Sequence, residues 1–178
     1  MKQWLLLPHG SQLSNKVFQQ QDTVHSIDPV WDPDCRILIL GSFPSVASRN
    51  THFFYGHPRN RFWKILSALL KETEPQTVEE KKELLLKHHI ALWDVIRSCE
   101  IVGSSDASIT DVVPNDLKEL LGKTKIERIY VNGSTADRLY RKYLEEDTGI
   151  TAVKLPSSSP ANASRSLEDL IGEWKIIL

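Results

Sequence analysis

Three loop-like stretches concentrate the side chains able to bind or react. The first reads GSFPS from Gly41 to Ser45 and resumes as FFYGHPRNRFW from Phe53 to Trp63. The second reads VNGS from Val131 to Ser134, and the third LPSSSPANA from Leu155 to Ala163. Ser157, Ser158 and Ser159 stand between Pro156 and Pro160, a rigid rim whose hydroxyl and backbone donors suit phosphate oxygens. A plain proline-rich turn is the alternative. Ser42 and Ser45 offer hydroxyls of the same kind, and Asn162 can join them or hold the loop's shape. His57 is either a donor to a ligand or a structural histidine. The amide of Asn60 is neutral at any usable pH, so it can hydrogen-bond but cannot act as a base; Asn is also an excellent helix cap.

Charge placement points the same way. No Asp or Glu occurs from Cys35 through Lys71, where Arg36, Arg49, Arg59, Arg61, Lys64 and Lys71 fall, nor from Thr148 to Leu167, which holds Lys154 and Arg165. Loops that approach phosphates are expected to exclude carboxylates, although apolar strands lack acids too. Other chemistries find little support. There is no GxxxxGK[ST] or GxGxxG loop and no GxSxG elbow, and His88 and His89 are adjacent, poorly placed to share a metal on one helix face.

The elements that must carry these loops follow from periodicity. Arg36 to Leu40 is a continuous apolar run ending at Gly41, as in a buried parallel strand. Phe62, Ile65, Leu66, Leu69 and Leu70 share one face of a helix over 61–71, and 77–88 reads as another. His89 to Trp93 is a second short strand. Pro114, Asn115 and Asp116 start a helix over Leu117 to Leu121. Ile126 to Val131 forms a third strand, and Ser134 or Thr135 caps a helix reaching about Glu146. Ile150 to Leu155 is a fourth strand. The last helix carries Leu167, Leu170, Ile171, Trp174 and Ile177 on one face, with Ser166 and Asp169 as a capping box. Strands alternating with helices imply a three-layer α/β/α sandwich around a mainly parallel four-stranded sheet. In such sheets ligands bind beyond the carboxyl ends of the strands, where the three loops start.

The chain has 178 residues, a formal net charge of −1 and 40% hydrophobic residues, which suits one soluble domain. Residues 1–25 are expected to be a poorly defined lead-in and 26–178 the domain. The two cysteines, Cys35 and Cys99, support no disulfide framework and no four-cysteine metal site, so a reducing, cytoplasmic setting is expected. The apolar run from Trp4 to Leu7 is too short for a signal core or membrane span.

Together the motifs resemble the uracil-DNA glycosylase superfamily, and within it the hypoxanthine-DNA (deoxyinosine) glycosylase branch. The HPRNRFW segment is also similar to the mismatch-specific uracil glycosylases. The resemblance covers about residues 30–178. It implies a monofunctional DNA glycosylase of base excision repair, acting as a monomer on DNA containing a deaminated base, most of all hypoxanthine, with no metal or organic cofactor. It also implies roles. Better-known branches place Asp or Asn where Phe43 stands here, so catalysis is expected to move to Asn60, which would orient water or steady the leaving base. Tyr55 would stack on the flipped base, with Phe43 as a second wall, and His57 would donate to the base or a phosphate. Asn132 would read the carbonyl and ring N–H of the base edge, or simply serve the turn with Gly133. Ser42, Ser45, Arg59, Ser157, Ser158, Ser159 and Asn162 would bind the DNA backbone. Uracil as the substrate, a lesion-binding domain without catalysis, and an unrelated nucleotide-binding α/β protein are the alternatives.

Overall fold

The computed structural model describes residues 21–178; most of the expected lead-in lies outside them. In chain order the elements are β1 (Gln21–Val24), β2 (Ile37–Gly41), α1 (Val46–Thr51), α2 (Phe62–Leu70), α3 (Val78–Lys87), β3 (Ile90–Asp94), β4 (Ile96–Ile101), β5 (Thr110–Pro114), α4 (Lys118–Gly122), β6 (Arg128–Asn132), α5 (Ser134–Tyr143), α6 (Glu145–Thr148), β7 (Val153–Leu155) and α7 (Leu167–Trp174). Strands β3-β2-β6-β7 form a four-stranded sheet, parallel at every pairing.

Side chains alternate across that sheet, as period-2 geometry demands. Ile39, Leu92, Tyr130 and Leu155 pack with the apolar faces of α2, α3 and α7. Leu38, Leu40, Ala91, Ile129 and Val131 pack on the other side with α4, α5 and β4. Covering both faces makes β2 almost continuously buried, which is why its sequence reads as an unbroken apolar run. The expected α/β/α layering is therefore present. Among the described residues no helix is long and apolar enough to cross a membrane.

The structure departs from the sequence reading in four main places, and the strand expected over Ile150 to Leu155 begins only at Val153. β1, β4 and β5 form a second, antiparallel sheet, so strands and helices do not strictly alternate: only Val95 separates β3 from β4. The short helix α1 follows GSFPS and was not foreseen. The cap of α5 is Gly133, with no side-chain hydrogen bond, so Ser134 and Thr135 lie inside the first turn. Gly133 has φ +97 and an added Cβ would meet the Ser157 Cβ at 3.1 Å, so a residue without Cβ is what fits this junction. Finally, the helix expected to reach Glu146 breaks at Leu144 (φ −125) into α5 and α6. The capping box at Ser166 and Asp169 is present as read.

Candidate active site

A cavity of about 520 Å³ opens where the carboxyl ends of β2, β3 and β6 meet the three loops. Tyr55 and Asn60 from the first stretch and Asn132 from the second line it together with Ser158 from the third, as do Phe43 and His57. The convergence rests on a buried serine. Ser158, 0% exposed, donates from Oγ to Asn60 Oδ1 (2.9 Å) and accepts from Asn132 Nδ2 (2.9 Å), while its backbone N donates to Asn132 Oδ1 (3.0 Å). Asn132 Nδ2 also donates to the Tyr55 hydroxyl at 3.1 Å. One residue of the third loop thus ties the first loop to the end of β6.

This network settles what each side chain has left to offer. Asn60 Oδ1 accepts from Phe62 N at 3.0 Å as well as from Ser158, so from one residue before the cap position, Arg61, the oxygen satisfies the first N–H of α2. Among the described residues nothing accepts from its Nδ2, which makes the donor end of the amide the available one. Asn132 spends both protons on Ser158 and Tyr55 and keeps only spare acceptor capacity on Oδ1. Phe62 stacks on Tyr55 with centroids 3.9 Å apart, covering one face of its ring. Tyr55 has φ +53, a conformation costly for a bulky side chain, so the surrounding contacts hold it there. Burial, reinforced by the negative charge of Asp94, pushes its hydroxyl far above the usual tyrosine range; the Asn132 donor opposes this only in part. Tyr55 therefore stays a neutral phenol. His57 Nδ1 accepts from Arg59 N at 3.1 Å, which in the neutral ring puts the proton on Nε2. Phe43 walls the cavity, edge-on to the His25 ring at 5.9 Å.

The expected phosphate binders divide. Ser158 is corrected: wholly buried, its hydroxyl is a strut inside the protein and cannot meet a backbone phosphate. Asn162 donates to Ser157 O (2.9 Å) and accepts from Ser164 Oγ (3.2 Å), so it shapes the loop. Ser45 Oγ caps α1 through Ser48 N at 3.2 Å. Ser42 Oγ donates to Asp106, 3.2 Å from each carboxylate oxygen. Ser157 and Ser159 accept only local backbone bonds (3.2 Å each), and their hydroxyl protons are uncommitted among the described residues. The Arg59 side chain is exposed and without a hydrogen-bond partner among the described residues.

The acid-free windows also misled. Asp94 and Asp106, from outside them, line the cavity, and no lysine or arginine among the described residues does. Sequence windows miss this because β3 and the turn after β4 fold in beside the first loop. Burial raises the Asp106 carboxyl above its usual range, with the Ser42 and Thr135 hydrogen bonds opposing the rise. Its ionised form is thus disfavoured in the folded chain, a cost present above the raised value and relieved as pH falls toward 3.8. Asp106→Asn is expected to stabilise the protein at neutral pH. The side chain is partly solvated, so the gain is below about 1 kcal/mol, and it disappears in melts run at acid pH.

Two further residues escaped the sequence reading. Arg61 donates to the carbonyls of Ser158 (3.3 Å), Ser159 (2.7 Å), Asn162 (2.9 Å) and Arg165 (2.5 Å), clasping the third loop. His25, just past β1, donates from Nε2 to Asp94 Oδ2 at 2.7 Å.

Known proteins carry the same plan. The sequence model of the Uracil DNA glycosylase superfamily matches residues 29–175. A hypoxanthine DNA glycosylase of Methanosarcina acetivorans is 38% identical over 152 residues, 83% of this chain and 93% of the relative. One from Methanosarcina barkeri is 34% identical over 150 residues, 82% and 92% of the two chains. A solution NMR structure of a candidate uracil DNA glycosylase from Methanosarcina acetivorans superposes with a TM-score of 0.75 at 33% identity, covering 88% of this chain and 96% of that one. With the parallel sheet and the three converging loops in place, the match over most of the chain means that it belongs to the uracil DNA glycosylase superfamily.

Proposed function

We propose that this protein is a monofunctional DNA glycosylase that hydrolyses the N-glycosidic bond of a deaminated base in DNA, with hypoxanthine as the preferred base. The observation that carries the reading is the meeting of Tyr55, Asn60 and Asn132 in one cavity at the strand ends. Kinship to the two hypoxanthine DNA glycosylases supports the choice of base.

The extruded base stacks on the face of Tyr55 that Phe62 leaves open, which offsets about 1–3 kcal/mol of the unstacking cost. The ring N–H of hypoxanthine donates to Asn132 Oδ1. Adenine has a bare nitrogen there and would leave that acceptor unpaired, at a cost of about 1–3 kcal/mol. As the C1′–N9 bond breaks, its electron pair passes to the base, and Asn60 Nδ2 donates to the anion that develops. His57, on the cavity wall, assists through Nε2. Water adds to C1′, leaving an abasic site and the free base. No lysine lines the cavity among the described residues, which fits hydrolysis without a Schiff base or strand cleavage.

Arg59, Ser157 and Ser159 hold the DNA backbone at the rim, since the acidic interior would repel a phosphate. Residues 26–178 work as one domain and as a monomer, extended by β1, which pairs with β4, and by His25, which bonds Asp94. Two free, buried thiols fit a cytoplasmic setting.

The test is base release from duplexes carrying single deoxyinosine, deoxyuridine or deoxyxanthosine sites. Hypoxanthine is expected to leave fastest. Faster release of uracil would move the substrate to that base, and binding without release of any base would reduce the protein to a lesion sensor. Arg59→Ala is expected to lower the slope of log K against log salt by about one contact.

A further inference from the structure

We infer that Asp94 is the catalytic carboxylate of this site and His25 its positioning residue, an assignment that rests on the glycosylase reading above. Asp94 ends β3 directly beside Gly41 at the end of β2, their positions paired across the parallel ladder. A Cβ on Gly41 would lie 2.2 Å from Asp94 Oδ1 and 3.1 Å from the Tyr55 hydroxyl, so the missing side chain is what lets the carboxylate into the cavity. Asp94 is 4% exposed. Its backbone is pinned by Asn115, whose Nδ2 donates to the Asp94 and Ile96 carbonyls at 2.9 and 3.1 Å.

The His25 tautomer is set by its other nitrogen. Ile27 N donates to Nδ1 at 3.1 Å, which leaves the proton of a neutral ring on Nε2, aimed at Asp94 Oδ2. His25 thus fixes one oxygen of the carboxylate through Nε2. Among the described residues nothing donates to Oδ1. A buried carboxylate with one oxygen fixed and the other uncommitted is costly to the fold, and such costs concentrate at working sites.

The other side chains leave this job open. Phe43 has no polar atom, Asn60 cannot take a proton, and Tyr55 holds its own. The ionisable groups facing Asp94 are His25, Tyr55 and Asp106; Asp106 already accepts from Ser42 and stands on an exposed turn. In the reaction the C1′–N9 bond breaks with its pair going to the base, and the deoxyribose becomes cationic. The Asp94 charge stabilises that cation in a site that no lysine or arginine among the described residues lines. Water then adds through its oxygen to C1′, Asp94 takes the proton it loses, and the proton passes to the departed base anion. Deoxyinosine plus water thereby gives an abasic deoxyribose plus hypoxanthine.

The test is single-turnover base release with saturating enzyme, followed across pH. Wild type is expected to lose rate toward acid pH. Asp94→Asn is expected to be at least 100-fold slower, with no acid limb, while binding the same duplex within a few-fold. An Asp94→Asn rate within threefold of wild type at every pH overturns the inference. If Asp94→Asn fails to fold, the histidine decides. His25→Leu should slow release at least tenfold, and His25→Gln, which keeps a donor, should restore most of the rate. Both variants matching the wild-type profile would overturn it. Wild type releasing none of the three deaminated bases overturns the glycosylase reading and this assignment together; wild-type release undiminished in Asp94→Asn overturns the assignment alone.

Discussion

Asn60→Asp is expected to cut single-turnover base release by about 100- to 1,000-fold, the usual loss for one preorganised donor, without lowering the melting temperature. The substitution separates two roles that the wild-type amide combines. Oδ1 accepts from Phe62 N and Ser158 Oγ, and an aspartate preserves both bonds. Its charge at the start of α2 adds about 0.3–1 kcal/mol of favourable interaction with the helix dipole. What the aspartate removes is the Nδ2 donor, and it places a negative charge where the base anion must develop. Asn60→Ala loses the same rate but also orphans the buried Ser158 hydroxyl and the Phe62 N–H, at about 1–3 kcal/mol. Alanine alone would therefore confuse a lost cap with lost chemistry. A folded Asn60→Asp protein with wild-type release would reduce Asn60 to a cap.

That ambiguity was visible in the sequence, and its resolution was not. An Asn directly before an apolar helical stripe says that it can cap; only the position of Ser158 says which end of the amide is taken. The legible features were local. The apolar run before Gly41, the stripe of α2 and the Ser166–Asp169 box each depend on neighbours within a few residues. The convergence of Tyr55, Asn60 and Asn132 was also legible, because loops after parallel strands must open on one edge of the sheet. Features made by distant pairing were hidden. β4 has its apolar residues at Ile96, Cys99 and Ile101 and its pairing with β5 carries register shifts, so neither strand has a clean period. His25 and Asp94 are 69 residues apart, and each alone reads as a polar residue at the edge of a segment. Ser158 was misjudged for a related reason: a serine between two prolines looks like rim, but Arg61 pulls the backbone carbonyl of that serine inward.

Arg61→Met should damage both the fold and the site although the side chain lies outside the cavity. Its side chain donates to four carbonyls between Ser158 and Arg165, a segment held besides by the Ser158 bonds to Asn60, Asn132 and the Arg61 backbone N, by the Arg165–Glu173 pair and by the Asn162 bond to Ser157 O. Hydrogen bonds to a charged group are worth about 1.5–3 kcal/mol each. The carbonyls released by the substitution regain water, so the net loss is smaller, about 2–4 kcal/mol, or about 5–15 °C in melting temperature for a domain of this size. Methionine keeps much of the apolar stem, which confines the change to the guanidinium. The effect should reach the cavity through Ser158: once the loop loosens, the Ser158 bridge between Asn60 and Asn132 is no longer held, and Tyr55 loses its anchor with it. Base release should therefore fall by tenfold or more even well below the new melting temperature, and DNA binding should weaken with it, because Ser157 and Ser159 lose their fixed place at the rim. A lowered melting temperature with unchanged release and binding would show that the clasp serves the fold alone. Arg61→Lys discriminates further: a lysine can reach one or two of the four carbonyls but cannot fork across all of them, so it should recover only part of either loss.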